Sequence, residues 1–192
     1  MNQRHEPAAA MAGMGTRSNA TTKLVLVDPI PFRGGSKVAT EAMLEALSER
    51  MPAMEHHVLT ADHGSWPACR HHHLRVPALL RGRESGVGYL LKQGWQTLMI
   101  LWLIWRLGEV RGLLAASGPG VDLCCYWAAR FAGIPVVQLI HGPVGGSRLS
   151  ARALWRASQV FYLEAARPSL LALMAHLGQQ DIPVHWQPFI NG

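Results

Sequence analysis

Between Lys23 and Asp28 the chain runs through Leu24, Val25, Leu26 and Val27 without a polar interruption, and a second such run follows at Val136 to Ile140. Short aliphatic and β-branched runs of this kind are strands buried on both faces, which occurs where helices cover a parallel sheet on each side. That single feature excludes a half-solvated antiparallel sheet and directs the reading to an alternation of strands and helices.

The alternation continues along the chain. After Pro29 and Pro31, Gly34 and Gly35 precede Ser36, a favourable N-cap, and a helix with an expected apolar face of Ala39, Ala42, Met43, Ala46, Leu47 and Met51. His57 to Thr60 reads as the second strand. The stretch from Ala61 to Gly88, with its prolines, glycines and clustered His and Arg, reads as a long excursion rather than packed sheet. A helix is expected from about Tyr89 to Leu107, then a third strand over Gly112 to Ser117. Val121, Cys124, Trp127, Ala128 and Phe131 share a helical face, with Gly133 as its C-terminal cap and Pro135 preventing continuation. After the Val136 to Ile140 strand come a short helix (Leu149 to Ala157), a strand (Val160 to Leu163), a helix with proline in its first turn (Pro168 to Leu177) and a last strand (Val184 to Gln187). The expected fold is α/β, Rossmann-like, a mostly parallel sheet with helices on both faces, over residues 23–192. Residues 1–22, rich in Ala, Gly, Met and Thr, read as a loose tail and a poor signal peptide.

Composition narrows the classes. With 49% hydrophobic residues in 192, the chain buries a core of its own. A net charge of +6 favours anionic partners without selecting one. Cys69, Cys124 and Cys125 form neither a disulfide framework nor a CxxC pair, which fits a reducing compartment. The eight apolar residues from Leu98 to Trp105 fall well short of the roughly 20 that span a bilayer and read as a buried or interfacial helix. Trp95, Trp102 and Trp105 at helical spacing suit a core or interface, and no nucleic-acid motif accompanies them.

In such sheets ligands sit at the carboxyl ends of the strands. Three turns there hold the candidate residues. In the first, Pro31-Phe32-Arg33-Gly34-Gly35-Ser36-Lys37, glycines remove side-chain bulk before a helix N-terminus, an arrangement suited to an anion or to a tight turn without ligand. It is neither a Walker loop nor GxGxxG. The second, His141-Gly142-Pro143-Val144-Gly145-Gly146-Ser147-Arg148, places a histidine where it either hydrogen-bonds a sugar hydroxyl or phosphate, or merely caps the strand end. The third begins at Glu164, whose carboxylate either binds hydroxyls or favours the following helix. His56-His57 and His71-His72-His73 lack the spacing of a zinc site and read as solvated loop; no metal is expected.

Taken together these segments resemble the family 4 glycosyltransferases of the GT-B superfamily. LVLVDPIPFRGGSKVATEAMLEALSER, between Lys23 and Met51, resembles their opening strand, Gly-Gly loop and helix. GIPVVQLIHG, Gly133 to Gly142, is similar to their Gly-Ile-Pro and strand ending in His-Gly. VFYLEAARPSLLALMAHLG resembles their strand with a terminal Glu, and WQPFING, Trp186 to Gly192, their Pro-Asn-Gly entry into the interdomain hinge. The resemblance implies the N-terminal, acceptor-side half of a GT-B fold: retaining, metal-independent transfer from a nucleotide diphosphate sugar donor, with no further cofactor, to a glycan or lipid-linked acceptor. It places Gly34, Gly35, Ser36 and Lys37 near the donor phosphates and reaction centre, and His141 against the donor sugar through its ring or backbone; Gly142 beside it and Glu164 are further candidates for binding substrate or phosphate. Arg33, Arg148 and the Ala61 to Gly88 loop are candidates for acceptor recognition. The family's C-terminal nucleotide-sugar domain has no counterpart in the sequence, so the chain alone is expected to be inactive. The resemblance, with the basic charge and the Leu98 to Trp105 helix, suits a cytoplasmic protein with peripheral contact at the inner membrane face. The alternative is a non-catalytic Rossmann-like binding module or subunit.

Overall fold

A computed structural model describes residues 21–62 and 64–189. Seven parallel strands form one sheet in the order β3-β2-β1-β4-β5-β6-β7. The elements are β1 (Thr22–Asp28), α1 (Gly35–Arg50), β2 (Met54–Thr60), β3 (Arg70–His73), α2 (Gly86–Leu107), β4 (Val110–Ala115), α3 (Leu123–Ala132), β5 (Val136–Ile140), α4 (Arg148–Leu154), β6 (Gln159–Leu163), α5 (Arg167–Ala175) and β7 (Gln187–Phe189). The chain starts in the middle of the sheet, works outward to β3, then crosses back through α2 to β4 and continues to β7. That reversal between β1 and β4 is the topological switch point, where the loops after adjacent strands diverge and leave a crevice.

The strands alternate their side chains between two cores. Val25, Val27, Leu113 and Val136 pack with Ile100 and Leu103 of α2, Leu123 to Ala129 of α3, and Leu154, Leu170 and Met174 of α4 and α5. Leu26, Val58, Leu114 and Leu139 pack on the opposite face against Leu44 of α1 and the indole of Trp66. Gly133 closes α3 at φ 67°, the left-handed geometry its sequence position suggests.

Four expectations need correction. The 61–88 stretch is not all excursion: Arg70–His73 forms the edge strand β3, pairing in parallel with His57–Thr60. An edge strand has one solvated side, so it needs no apolar run, and three histidines satisfy it. The last strand lies later than Val184 to Gln187, because Pro183 to Trp186 forms a turn closed by Trp186 N–H on the Pro183 carbonyl (2.9 Å). The inward face of α1 is Lys37, Thr40, Glu41 and Leu44, while Met43 and Met51 are exposed. In α3, Val121 precedes the helix and Phe131 points outward; Leu123, Cys124, Cys125, Tyr126, Ala128 and Ala129 make the buried surface. The expected tail over 1–22 falls, apart from Thr21 and Thr22, outside the described residues, as does the 190–192 end of the hinge segment. Among the described residues no helix is long and apolar enough to cross a membrane.

Candidate functional site

The polar face of α1 explains how the strand ends are tied together. Asp28 ends β1 and is buried. Its Oδ2 accepts from Thr60 Oγ1 (2.8 Å) and from Trp66 Nε1 (2.9 Å), and lies 2.7 Å from Lys37 Nζ. The same ammonium donates to Asp62 Oδ2 (3.0 Å) and to the Ile30 carbonyl (2.7 Å). An ammonium has three donors, and all three are taken. Lys37 therefore points into the protein, where it fixes the β1–α1 loop to the end of β2, rather than towards a ligand at the helix start. Asp62 is held down to about 2 by hydrogen bonds from the Gly64 N–H, the Ser65 hydroxyl and Lys37. Glu41, one turn further along α1, accepts from the Trp66 N–H (2.6 Å) and from Arg33 Nη2 (2.9 Å), so Arg33 leans back over its own helix. Trp66 adopts φ 72°, a left-handed conformation unfavourable for a bulky residue, and hydrogen bonds to Glu41 and Asp28 and, at its carbonyl, from Cys69 N–H and His71 Nε2 hold it there.

Thr40 carries the link to the second turn. Its hydroxyl donates to the Ser36 carbonyl (2.8 Å) and lies 2.9 Å from His141 Nε2. Because the only hydroxyl proton of Thr40 goes to Ser36, His141 must donate through Nε2–H, which leaves Nδ1 as a lone-pair acceptor. That Nδ1 is buried and has no partner among the described residues. Burial lowers the His141 pKa, so the ring is neutral at pH 7. Phe189 of β7 packs edge-on to it, with ring centroids 5.5 Å apart. Glycine turn, histidine and last strand thus meet at one rim of the sheet.

The glycines there differ in what they do. A Cβ built on Gly34, Gly35, Gly142 or Gly145 meets nothing within 4 Å, whereas on Gly146 it comes within 2.9 Å of Leu173 Cδ1 and 3.0 Å of Ser150 Cβ. Gly146 is a packing requirement. Gly34 and Gly35 are not: they leave the start of α1 uncovered, with Gly34 as an N-cap that supplies no side-chain bond. Gly142 likewise keeps space open beside His141.

Beside this rim lies an open cleft of about 1440 Å³ at the switch point. Its walls come from the β1–α1 loop (Pro29 to Phe32), β3 and the segment after it, the start of α2, and the turn from Gly146 to Ser150. Gln93 and Gln96 of α2 are buried along it, and Gln96 Oε1 has no partner among the described residues. The β1–α1 loop and the β5–α4 loop each serve both places, their inner residues facing the cleft and Gly34 to Ser36 with His141 forming the rim. Arg148 opens α4 on the surface, next to the lining residues Ser147 and Leu149. Glu164 starts the turn after β6 and pairs with Arg167 Nη1 (3.1 Å), both well exposed, away from His141 in the hydrogen-bonding scheme.

Two buried groups escaped the sequence reading. Asp122, the N-cap of α3, accepts through Oδ2 from the Ser117 and Gly118 N–H groups (2.8 Å each) and Gln138 Nε2 (3.1 Å). Complete burial pushes its carboxyl up to about 7. Thr40 was missed too, because it looks like an ordinary helix residue until His141, distant in sequence, is placed beside it; its spacing of four from Ser36 was the available signal. The histidines of the β2–β3 edge are strand residues and not solvated loop, with His56 and His57 buried: His57 Nδ1 and His72 Nε2 lie 3.0 Å apart with stacked rings, and Glu55 Oε2 reaches His57 Nε2 at 3.3 Å. Among the described residues no three His, Cys, Asp or Glu side chains are placed to hold a metal ion.

Comparison with known proteins bears on the fold. No family model matches the chain, and no curated protein matches it by sequence. Among solved structures, it is similar to the apo form of the lipopolysaccharide outer core galactosyltransferase WaaB, with TM-score 0.57 and 6% identity over 79% of this chain and 42% of that one. UDP-GlcNAc 2-epimerase from Neisseria meningitidis, bound to UDP-GlcNAc, gives TM-score 0.55 and 12% identity, with 87% and 45% coverage. A ugt transferase from Siraitia grosvenorii in complex with UDP gives 0.50 and 10%, with 89% and 48% coverage. The chain spans less than half the length of each. The shared architecture is a Rossmann-like parallel sheet with flanking helices.

Proposed function

We propose that this chain forms one wall of a nucleotide-sugar-dependent glycosyl transfer site, the acceptor-side half of a GT-B glycosyltransferase of the kind that its sequence resembles, family 4. The observation that carries the reading is the bridge from Ser36 through Thr40 to His141, which joins the glycine turn after β1 to the histidine after β5 at one rim. Sugar transfer needs a donor anomeric carbon held beside an acceptor hydroxyl, and here an uncovered helix start and the histidine turn share one rim, on the two loops whose neighbouring residues, Pro29 to Phe32 and Gly146 to Ser150, line a cleft large enough for a glycan. In this reading Gly34, Gly35 and Ser36 face the donor phosphates through backbone N–H groups. His141 contacts the donor sugar through its ring or backbone, Gly142 gives that sugar room, and the acceptor lies in the cleft with Arg148 at its edge. Lys37 acts at one remove, by holding the loop.

Charge stabilisation of the leaving diphosphate requires cations opposite this rim, and Lys37 and Arg33 are both committed to carboxylates. A second α/β domain carrying them is therefore part of the proposal, as is retention of anomeric configuration. The similarity to a 2-epimerase supports a second reading, rearrangement of the nucleotide sugar itself without an acceptor. The experiment is incubation of the chain, alone and together with a second Rossmann-like domain encoded in the continuing or adjacent reading frame, with a panel of UDP-, GDP- and ADP-sugars. Acceptor-dependent glycoside formation only with both halves is expected. Turnover by the chain alone, or an isomerised nucleotide sugar without transfer, would contradict it.

A further inference from the structure

Helix α2 serves two surfaces. One row of its residues lines the cleft and the core, with Gln93, Gln96, Ile100 and Leu103 buried. Another row does the opposite of what a soluble helix is expected to do. Val87, Leu91, Trp95, Leu98, Trp102 and Trp105 follow one another at spacings of four and three, and every one is exposed, Leu98 by 61% and Trp105 by 80%. At 1.5 Å per residue this apolar stripe is about 27 Å long. Leu79, 85% exposed, adds to it from the single-turn helix that packs against α2, and Trp95 Nε1 ties that segment down by donating to the Arg75 carbonyl (2.7 Å). Scattered exposed apolar residues are ordinary; a continuous stripe with three tryptophans is not.

The charges around the stripe indicate its occupant. Helix α2 contains Lys92 and Arg106 and no carboxylate. Arg75, Arg81 and Arg83 precede it, against Glu84 and Glu109 at its two ends; Arg75, Arg81, Glu84 and Lys92 border the cleft, Arg83 and Arg106 do not, and all but the half-buried Lys92 are exposed. Arg106 lies over the Trp102 ring, 5.2 Å from its centroid, a pairing that brings a cation and an indole to the same level. Tryptophan with neighbouring Arg or Lys is the composition that settles at the boundary between lipid headgroups and acyl chains. A second copy of this chain would bring the same cations against themselves across a two-fold axis.

We propose that the outer stripe of α2 docks this domain on an anionic lipid bilayer, lying in the headgroup plane. The docking is peripheral, since α2 is too short in apolar length to span. Because the first turns of the same helix wall the cleft, the bilayer would lie against the helix that shapes the acceptor site. The inference deepens the peripheral contact expected with the sugar-transfer reading, and because it is tested without nucleotide or acceptor the two can fail separately.

The test is sedimentation of the full chain with vesicles of phosphatidylcholine alone and of phosphatidylcholine mixed with phosphatidylglycerol in equal parts. Binding to the mixed vesicles should be at least about tenfold tighter, and should weaken as salt is raised. Replacing Leu98 and Trp105 together by Ser should reduce it by about tenfold or more, and Arg81→Gln with Arg83→Gln by about tenfold. Since all four side chains are exposed, circular dichroism and thermal midpoint should be kept. Lipids brominated in the acyl chain should quench tryptophan fluorescence in the parent and less in the Leu98, Trp105 variant. Equal affinity for both vesicle types, binding unchanged in the stripe variants, or a dimer dissolved by the Leu98 and Trp105 replacements in a chain that ignores vesicles would each overturn the proposal.

Discussion

Replacing Lys37 by Met separates two roles that the sequence allows for this residue. If Lys37 were a phosphate ligand at the start of α1, its loss from the unliganded chain would cost no more than about 1 kcal/mol, the value of an exposed charge. The structure places its side chain at 5% exposure with Asp28 at 4% and Asp62 at 13%, and fills all three donors. Removing one partner from such a group leaves two carboxylates short of a counter-charge, which costs about 3–5 kcal/mol. Asp28 keeps its bonds from Thr60 and Trp66, and Asp62 keeps those from Gly64 and Ser65, which favours the lower end of that range. At about 2–4 °C per kcal/mol for a domain of this size, the thermal midpoint should fall by roughly 6–12 °C at neutral pH. The acid limb should change as well. Asp62 is depressed to about 2, so its contribution is complete above the unfolded carboxylate value and is lost as pH falls towards 2; without Lys37 that loss begins at higher pH. Calorimetry from pH 2 to 7, with urea denaturation to verify an unchanged m-value, reads both effects. A midpoint within about 2 °C of the parent, by the same scale, would refute the buried-triad account.

Further outcomes follow from the same contacts. Gly34→Ala and Gly35→Ala should leave stability within about 1 kcal/mol, since the new Cβ meets nothing, while weakening nucleotide-sugar binding; Gly146→Ala, with Leu173 at 2.9 Å, should cost about 1–3 kcal/mol, and thermal denaturation distinguishes them. Asp122 has a folded pKa of about 7, above its unfolded value, so the stability it contributes in the protonated form is complete below about pH 4 and lost as pH rises to 7; Asp122→Asn should remove that slope from a plot of midpoint against pH. His141 has the opposite sign, its pKa being lowered by burial, so its contribution is complete above about 6.5 and decreases as pH falls below that; NMR titration of the ring should show a midpoint below the ordinary value, and a normal midpoint would contradict its burial.

What could be read from the sequence was whatever local chemistry decides. β1 and β5 are buried on both faces, as their aliphatic runs imply; Gly133 closes a helix because glycine adopts positive φ there without strain. The inward face of α1 was misread because its burial is polar: Lys37, Thr40 and Glu41 are made tolerable by Asp28, His141 and the Trp66 backbone, none of which is near in sequence. β3 was missed for a related reason, since a histidine run at a sheet edge carries none of the alternation that marks a half-buried strand. At the rim, the turns holding Gly34 and His141 were identified, but not that Lys37 faces inward or that Arg33 is paired with Glu41, because long side chains choose their partners from the fold and not from their neighbours.

The central claim is that the glycine turn after β1 and the histidine after β5 form one face for a sugar nucleotide. Titrating a UDP-sugar into isotope-labelled chain and following backbone amide and imidazole signals tests it directly, even where one wall binds weakly. Shifts concentrated on Gly34, Gly35, Ser36, His141 and Gly142, and abolished by His141→Ala, are the predicted result. Shifts confined to residues away from this rim, or a response that His141→Ala leaves intact, would contradict it.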